Sequence, residues 1–253
     1  MKTAIITGAS SGLGKEFAYA LKKEHPELES FWLIARRADR LTELAREIGE
    51  ERCLCLSMDL TEKSSMAELR QLLGDTQPEV TFLINNAGFG KLGNFADVPA
   101  EDSIGQIELN CVALTAVTAA VLPFMEKGGS LINIASIAAF APNTRLTVYS
   151  STKAYVYSFS KGLRQELKNR NIHVLAVCPG PMDTEFLPVA GIGKGDSKTF
   201  DTLPRVKPKT VARRALKAAQ KNKAVYTCKL FYRFYHLLAK LLPHSLVMKF
   251  CKA

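Results

Sequence analysis

The sequence predicts an α/β fold: a doubly wound parallel sheet of about seven strands, forming one domain over residues 1–253 with a helical C-terminal extension. Short apolar runs alternate with amphipathic stretches along the chain, and the first apolar run leads straight into a glycine-rich turn and an amphipathic helix. No repeat, low-complexity tract or linker divides the 253 residues. That length is ample for the two-sided core of a parallel sheet covered by crossover helices on both faces.

The expected strands are Thr3–Thr7, Phe31–Ala35, Arg52–Ser57, Val80–Asn85, Ser130–Ala135 and Ile172–Cys178, with a short seventh around Ala224–Tyr226. Helices fill the gaps, with long ones near Ala100–Met125 and Val148–Asn169. The first strand begins at residue 2, which leaves no room for a leader peptide. The longest apolar stretch, Cys111–Met125, falls short of the ~18 residues of a spanning helix and reads as a core helix. Six cysteines lack zinc-like spacing, and His25, His173, His236 and His244 are scattered. No metal is expected, and the cysteines read as small buried hydrophobes of a reducing cytoplasm.

The net charge of +10 is unevenly placed. From Thr202 to Ala253 there are thirteen Lys and Arg and no Asp or Glu, so the whole positive excess belongs to this segment. Within it, Lys229–Leu242 reads as a helix with Leu230, Phe231, Phe234, Leu238, Leu241 and Leu242 on one side and Lys229, Arg233, His236 and Lys240 on the other. Two readings stay open for this basic extension, 229–253: a helix that covers a cleft or subunit interface, or one lying in the plane of a membrane surface. Pro243 ends or kinks it.

Two clusters carry chemistry. In Gly8-Ala9-Ser10-Ser11-Gly12-Leu13-Gly14, between first strand and first helix, glycines let the backbone approach a pyrophosphate held on the free N–H groups and positive dipole end of the helix. In Tyr149-Ser150-Ser151-Thr152-Lys153, positions i and i+4 share a helix face, so an ammonium stands beside a phenol and favours the phenolate. Ser136, thirteen residues upstream of Tyr149, can hydrogen-bond a carbonyl oxygen as charge develops there. At the end of the second strand stands Arg36-Arg37 rather than an acid for a ribose hydroxyl; a 2′-phosphate would be a fitting anion for this pair, Arg36 foremost.

Together these residues resemble the short-chain dehydrogenase/reductase family, with Thr7-Gly8…Gly12-Leu13-Gly14, Asp59-Leu60, Asn85-Asn86-Ala87-Gly88, Asn110, Ser136, Tyr149…Lys153 and Pro179-Gly180…Thr184 in its order and spacing. The resemblance implies a Rossmann-type domain that uses a nicotinamide dinucleotide, here NADP(H), and transfers a hydride between it and a carbonyl/alcohol pair without a metal. Tyr149 would be the proton donor and acceptor, Lys153 would lower its pKa and bind the nicotinamide ribose, Ser136 would hold the substrate oxygen, and Asn110 would carry a proton relay to Lys153. The cofactor would meet Gly8, Ser10, Ser11, Gly12, Leu13, Gly14, Arg36, Arg37, Asp59, Leu60, Asn86, Ala87, Gly88, Tyr149, Lys153, Pro179, Gly180, Met182 and Thr184. The resemblance also implies a homo-oligomer, dimer or tetramer.

The resemblance implies that the glycine-bearing stretch 185–205 is a substrate lid, with Phe186, Leu187, Val189 and Ile192 either lining an apolar pocket against Phe89, Ala138, Phe140 and Val148 or packing against one another. A hydrophobic carbonyl or secondary alcohol is therefore expected as substrate, of hydroxysteroid or 3-oxoacyl type. Tyr232 and Tyr235 interleave with basic residues, but with a catalytic set intact elsewhere no nucleic-acid partner is expected. A different class of function remains: a non-catalytic NADP(H)-binding scaffold at a membrane surface.

Overall fold

In a computed structural model, which describes residues 1–193, 195, 197 and 201–249, seven strands form one parallel sheet. They are β1 (Lys2–Thr7), β2 (Ser30–Ala35), β3 (Cys53–Ser57), β4 (Glu79–Asn85), β5 (Met125–Ile134), β6 (His173–Cys178) and β7 (Val225–Thr227), in spatial order β3-β2-β1-β4-β5-β6-β7. The helices are α1 (Gly12–Glu24), α2 (Ala38–Ile48), α3 (Lys63–Thr76), α4 (Ala100–Ile107), α5 (Leu114–Val121), α6 (Thr147–Glu166), α7 (Phe186–Val189), α8 (Pro208–Gln220), α9 (Leu230–Leu241) and α10 (His244–Val247).

The strands read as continuous apolar runs because successive side chains enter different layers. Ala4 and Ile6 of β1 join Phe31 and Leu33 of β2 under α1, α2 and α8, whereas Ile5, Trp32 and Leu83 join the layer under α3, α5 and α6. Phe17 of α1 is fully buried in the first layer. Such a side chain contributes roughly 1.5–3 kcal/mol relative to an exposed one.

Several boundaries differ from expectation. β5 starts at Met125, not Ser130, because Val80 pairs with Met125 and draws the polar Glu126–Gly129 stretch into the strand. The helix expected to run to Met125 instead closes with a 3₁₀ turn, Leu122–Phe124, containing Pro123. That helical run is also interrupted by a π-turn, Glu108–Ala113. Counted as one, Ala100–Phe124 is 25 residues long and apolar enough to cross a membrane by length and composition, longer than the apolar stretch alone suggested. It nonetheless packs as a core element, with Ala113, Val117 and Val121 buried against the sheet.

The strand order reverses between β1 and β4, with β2 and β3 to one side and β5, β6 and β7 to the other. A crevice opens outside the carboxyl ends at such a switch point. The chain places its glycine turn, Arg36-Arg37, Asn86–Gly88, Ser136 and Pro179–Thr184 there. Of the expected lid, residues 194, 196 and 198–200 lie outside the described residues, as do 250–253 of the C-terminal extension.

Candidate active site

One cavity of about 860 Å³ runs along this crevice, within the usual size for a ligand site. Its walls take in every predicted cofactor and catalytic residue except Gly14 and Asn110, which stand behind them.

The glycine turn is built by close approach. Gly8 and Gly12 have positive φ, 65° and 51°, a backbone region that disfavours other residues. Asn86 ties this turn to β4: its Nδ2 donates to the carbonyls of Thr7 and Gly8 at 3.1 Å each, and its backbone N–H donates to Thr7 Oγ1 at 3.0 Å. Gly14 lets α1 lie against the same turn, since a Cβ there would run into the Gly8 carbonyl and come within 2.7 Å of Asn86 Nδ2. Asn86 and Gly14 thus shape the cradle whose open face belongs to Gly8, Ser10, Ser11, Gly12 and Leu13.

The two arginines after β2 differ. Arg36 is 76% exposed at the rim and only loosely paired with Asp59, at 3.7 Å. Arg37 is engaged: it donates to Ser10 Oγ at 3.1 Å and to Glu185 Oε2 at 2.7 Å. Glu185, just before α7, is therefore latched across the crevice, and the Arg37 guanidinium holds its carboxyl below the usual range. Sequence reading missed this latch because its partners are 148 residues apart. Burial pushes the Asp59 carboxyl up, but donors from the Thr61 backbone and hydroxyl and the charge of Arg36 outweigh it, so it sits below its ordinary value.

At the other side of the switch point, Ser136 leaves β5 in extended backbone and caps a 3₁₀ turn, accepting from Ala138 N at 3.2 Å. Its side chain also hydrogen-bonds the Tyr149 phenol. Lys153 is buried, and its Nζ donates to Ile134 O at 2.9 Å while lying 5.8 Å from the centre of the Tyr149 ring. Burial pushes Tyr149 up to about 12, against the downward pull of the Ser136 bond, and pushes Lys153 down to about 8. The direction for Tyr149 is opposite to the sequence-based expectation of a lowered pKa: burial outweighs the Ser136 hydrogen bond.

Asn110 sits in the π-turn and is fully buried. Its Oδ1 accepts from Phe89 N at 3.0 Å, and its Nδ2 donates to Phe89 O and to Thr152 Oγ1, at 2.8 and 3.0 Å. The side chain expected to relay protons is thus fastened between the loop after β4 and helix α6. Π-turns of this kind occur often at functional sites. Among the described residues, no group of three His, Cys, Asp or Glu side chains comes together as a metal site would require.

The apolar end of the cavity has Phe89, Ala138, Phe186, Leu187 and Val189, as expected, but not Ile192, Phe140 or Val148. Ile192 is buried, and Phe140 is stacked on His236 with ring centres 4.1 Å apart. In their place α9 supplies Phe231, Tyr232 and Tyr235. Tyr232 packs against Gly180, where a Cβ would penetrate the ring, and its hydroxyl donates to Pro204 O at 2.7 Å. The sequence signal for this contribution was the spacing Tyr232, Tyr235, His236, Ala239, one helical stripe opposite the leucines.

Comparisons with known proteins agree with this geometry. The model of the short chain dehydrogenase family matches residues 2–191. An uncharacterized oxidoreductase of Staphylococcus aureus is 30% identical over 226 residues, covering 88% of this chain and 93% of the relative. A short-chain dehydrogenase from Sphingobium yanoikuyae, solved in complex with NADPH, superposes with a TM-score of 0.81 at 32% identity, covering 94% of this chain and 92% of that one. The bulky-bulky ketone specific alcohol dehydrogenase of Comamonas testosteroni gives 0.76 at 30% identity, covering 96% and 95%. With its parallel sheet, its glycine cradle and a family match over three quarters of its length, the chain belongs to the short-chain dehydrogenase family and is an oxidoreductase.

Proposed function

We propose that this oxidoreductase is an NADP(H)-dependent carbonyl reductase or alcohol dehydrogenase acting on a bulky, lipophilic substrate. The observation that carries the reading is a single cavity with the Ser136, Tyr149 and Lys153 side chains on one side of the switch point and Arg36 and Arg37 on the other. The residues fit the cofactor class. Gly8 and Gly12 leave room for a pyrophosphate over the first turn of α1, and Ser10, Arg36 and Arg37 offer a hydroxyl and two cations for a further phosphate. A relative solved with NADPH supports the same choice.

When bound, the nicotinamide supplies or accepts the hydride; the rest falls to the chain. Tyr149, pushed up to about 12, is protonated at neutral pH and ready to donate to a carbonyl oxygen. Ser136 steadies that oxygen and then the phenolate left behind. Lys153 is anchored to Ile134 O, which leaves ammonium protons for ribose hydroxyls, and at about 8 it remains mostly charged at pH 7. Asn110 positions Phe89 and α6 relative to each other rather than touching the reacting atoms.

Phe186, 5.5 Å from the Tyr149 ring, and Phe89, Leu187, Phe231 and Tyr235 elsewhere on the cavity wall favour a ketone with two bulky apolar arms. A hydroxysteroid-type substrate suits this wall better than a 3-oxoacyl thioester, whose anionic carrier would instead draw on the basic segment. NADPH consumption against steroid, acyl-thioester and small ketones tests this. Turnover confined to small ketones would overturn the substrate class, and tight NADPH binding with no turnover at all would favour the scaffold.

Arg36→Ala is expected to weaken NADPH by about tenfold to a hundredfold, the worth of a charge-assisted phosphate contact, with NADH almost unchanged. Equal losses in titrations with the two cofactors would place the phosphate elsewhere. Exposed Ile104, Ile107, Val112 and Tyr155 on α4, the π-turn and α6 support a homodimer through that face; a monomer mass in sedimentation would refute it.

A further inference from the structure

Helix α9 turns its Tyr232–Ala239 stripe, not its leucine side, toward the protein. Tyr232, Tyr235, His236 and Ala239 face the protein: Tyr232 and Ala239 are buried, and His236 meets the Tyr157 hydroxyl at 2.9 Å. The leucine and phenylalanine side points outward. Leu230 is 79% and Leu241 71% exposed, with Phe231, Phe234 and Leu237 between them, and the run continues through Leu242 to Leu246 on α10. His236, placed with the cations from sequence, is instead part of the inner face. Single exposed apolar residues are ordinary, but a continuous run of this size marks an interaction surface.

The chemistry around the run selects its partner. Lys229, Arg233, Lys240 and Lys249 are exposed beside it, and residues 202–253 contain no Asp or Glu. A second copy meeting this face about a two-fold axis would set these cations against their own counterparts, with no carboxylate from the segment to offset them. Anionic lipid headgroups meet them with opposite charge, while the apolar side chains enter the boundary below. Twelve residues of helix are too few to cross the ~30 Å hydrocarbon core, so α9 lies in the plane. Phe231 also lines the cavity, as does the exposed Val189 of α7, so the outward face adjoins the substrate entrance.

We propose that the α9 face, Leu230–Leu242 with its flanking cations, docks this protein in the plane of an anionic lipid bilayer with the cavity mouth beside the membrane. The test is flotation of the full chain with phosphatidylcholine vesicles and with phosphatidylcholine–phosphatidylglycerol vesicles. Binding is expected to the anionic vesicles and to fall by at least about tenfold on phosphatidylcholine alone or at high salt. The triple variant Phe234→Ser, Leu237→Ser, Leu241→Ser, at outward positions away from the catalytic groups, is expected to lose the same factor while keeping its circular dichroism and NADPH turnover. Should that variant unfold, Leu241→Ser alone is expected to lower binding measurably. Wild-type protein that stays unbound on anionic vesicles, or variants that float equally well, would overturn the proposal. So would a wild-type dimer that ignores vesicles and splits in the triple variant, which would assign the face to a second copy. Flotation requires no turnover, so this result stands or falls separately from the catalytic reading.

Discussion

Tyr149→Phe is expected to reduce kcat for NADPH-dependent ketone reduction by about a hundredfold to ten-thousandfold, the range typical of losing a positioned general acid. The ring stays: it is wedged against Gly90, where a Cβ would come within 2.8 Å of it, and it lies 5.5 Å from the Phe186 ring. Only the hydroxyl goes, and with it the hydrogen bond to Ser136. Because the ring stays in place and the Arg36 and Arg37 side chains are untouched, NADPH affinity should stay within a few-fold of wild type. Stopped-flow turnover paired with a fluorescence titration separates the two quantities. Activity retained in this variant would remove Tyr149 from the chemistry, and an equal collapse of binding would make its role structural.

Gly14→Ala is expected to be nearly as damaging by a different route. The added methyl has no space, because Gly8 O and Asn86 Nδ2 already occupy it and both are fixed by the β1–β4 connection. Backbone cannot swing aside as a side chain can, so α1 must move away from the turn and take its N-terminal amide groups with it. Overpacking of this kind costs about 1–3 kcal/mol of stability. Loss of the cradle should weaken NADPH and NADH alike, by tenfold or more if about 1.4 kcal/mol of binding is forfeited. Thermal unfolding with and without cofactor checks both effects: a lower melting temperature and a smaller cofactor-induced rise. A variant that binds both dinucleotides as wild type does would show that the helix N-terminus is not the pyrophosphate site.

The glycine turn, the Tyr149–Lys153 pair and the seven-strand sheet were legible in the sequence because each depends on short-range geometry: a turn needing positive φ, a helix spacing of four, an apolar run bounded by polar residues. The features that escaped depend on distant partners. Glu126–Gly129 carries two glycines and two charges and reads as a loop until Val80 pairs with Met125 and draws it into the strand. The π-turn at Asn110 has no local breaker; it is where the chain inserts an amide between Phe89 and Thr152. Glu185 looked like the first residue of a lid and proves to be its fastening to Arg37. Helix α9 was left open, since amphipathicity identifies two faces without saying which one meets the protein, and only His236 was placed on the wrong one. Gly180 decides it, because the absent side chain leaves the slot that Tyr232 fills.

The pKa directions carry a lesson of the same kind. A cation beside a phenol suggests an acidic tyrosine, yet both groups are so deeply placed that burial shifts each toward its neutral form. At neutral pH such a phenol is held protonated, the state a proton donor needs.

The most direct measurement is isotopic. NADPH carrying deuterium at the nicotinamide reactive carbon is incubated with the protein and a ketone bearing two bulky apolar arms, and the product is read by mass spectrometry and NMR. A secondary alcohol with deuterium on its carbinol carbon is the expected result, absent in Tyr149→Phe. Tight NADPH binding with unlabelled, unreduced ketone throughout the panel would contradict the assignment of this cavity to carbonyl reduction.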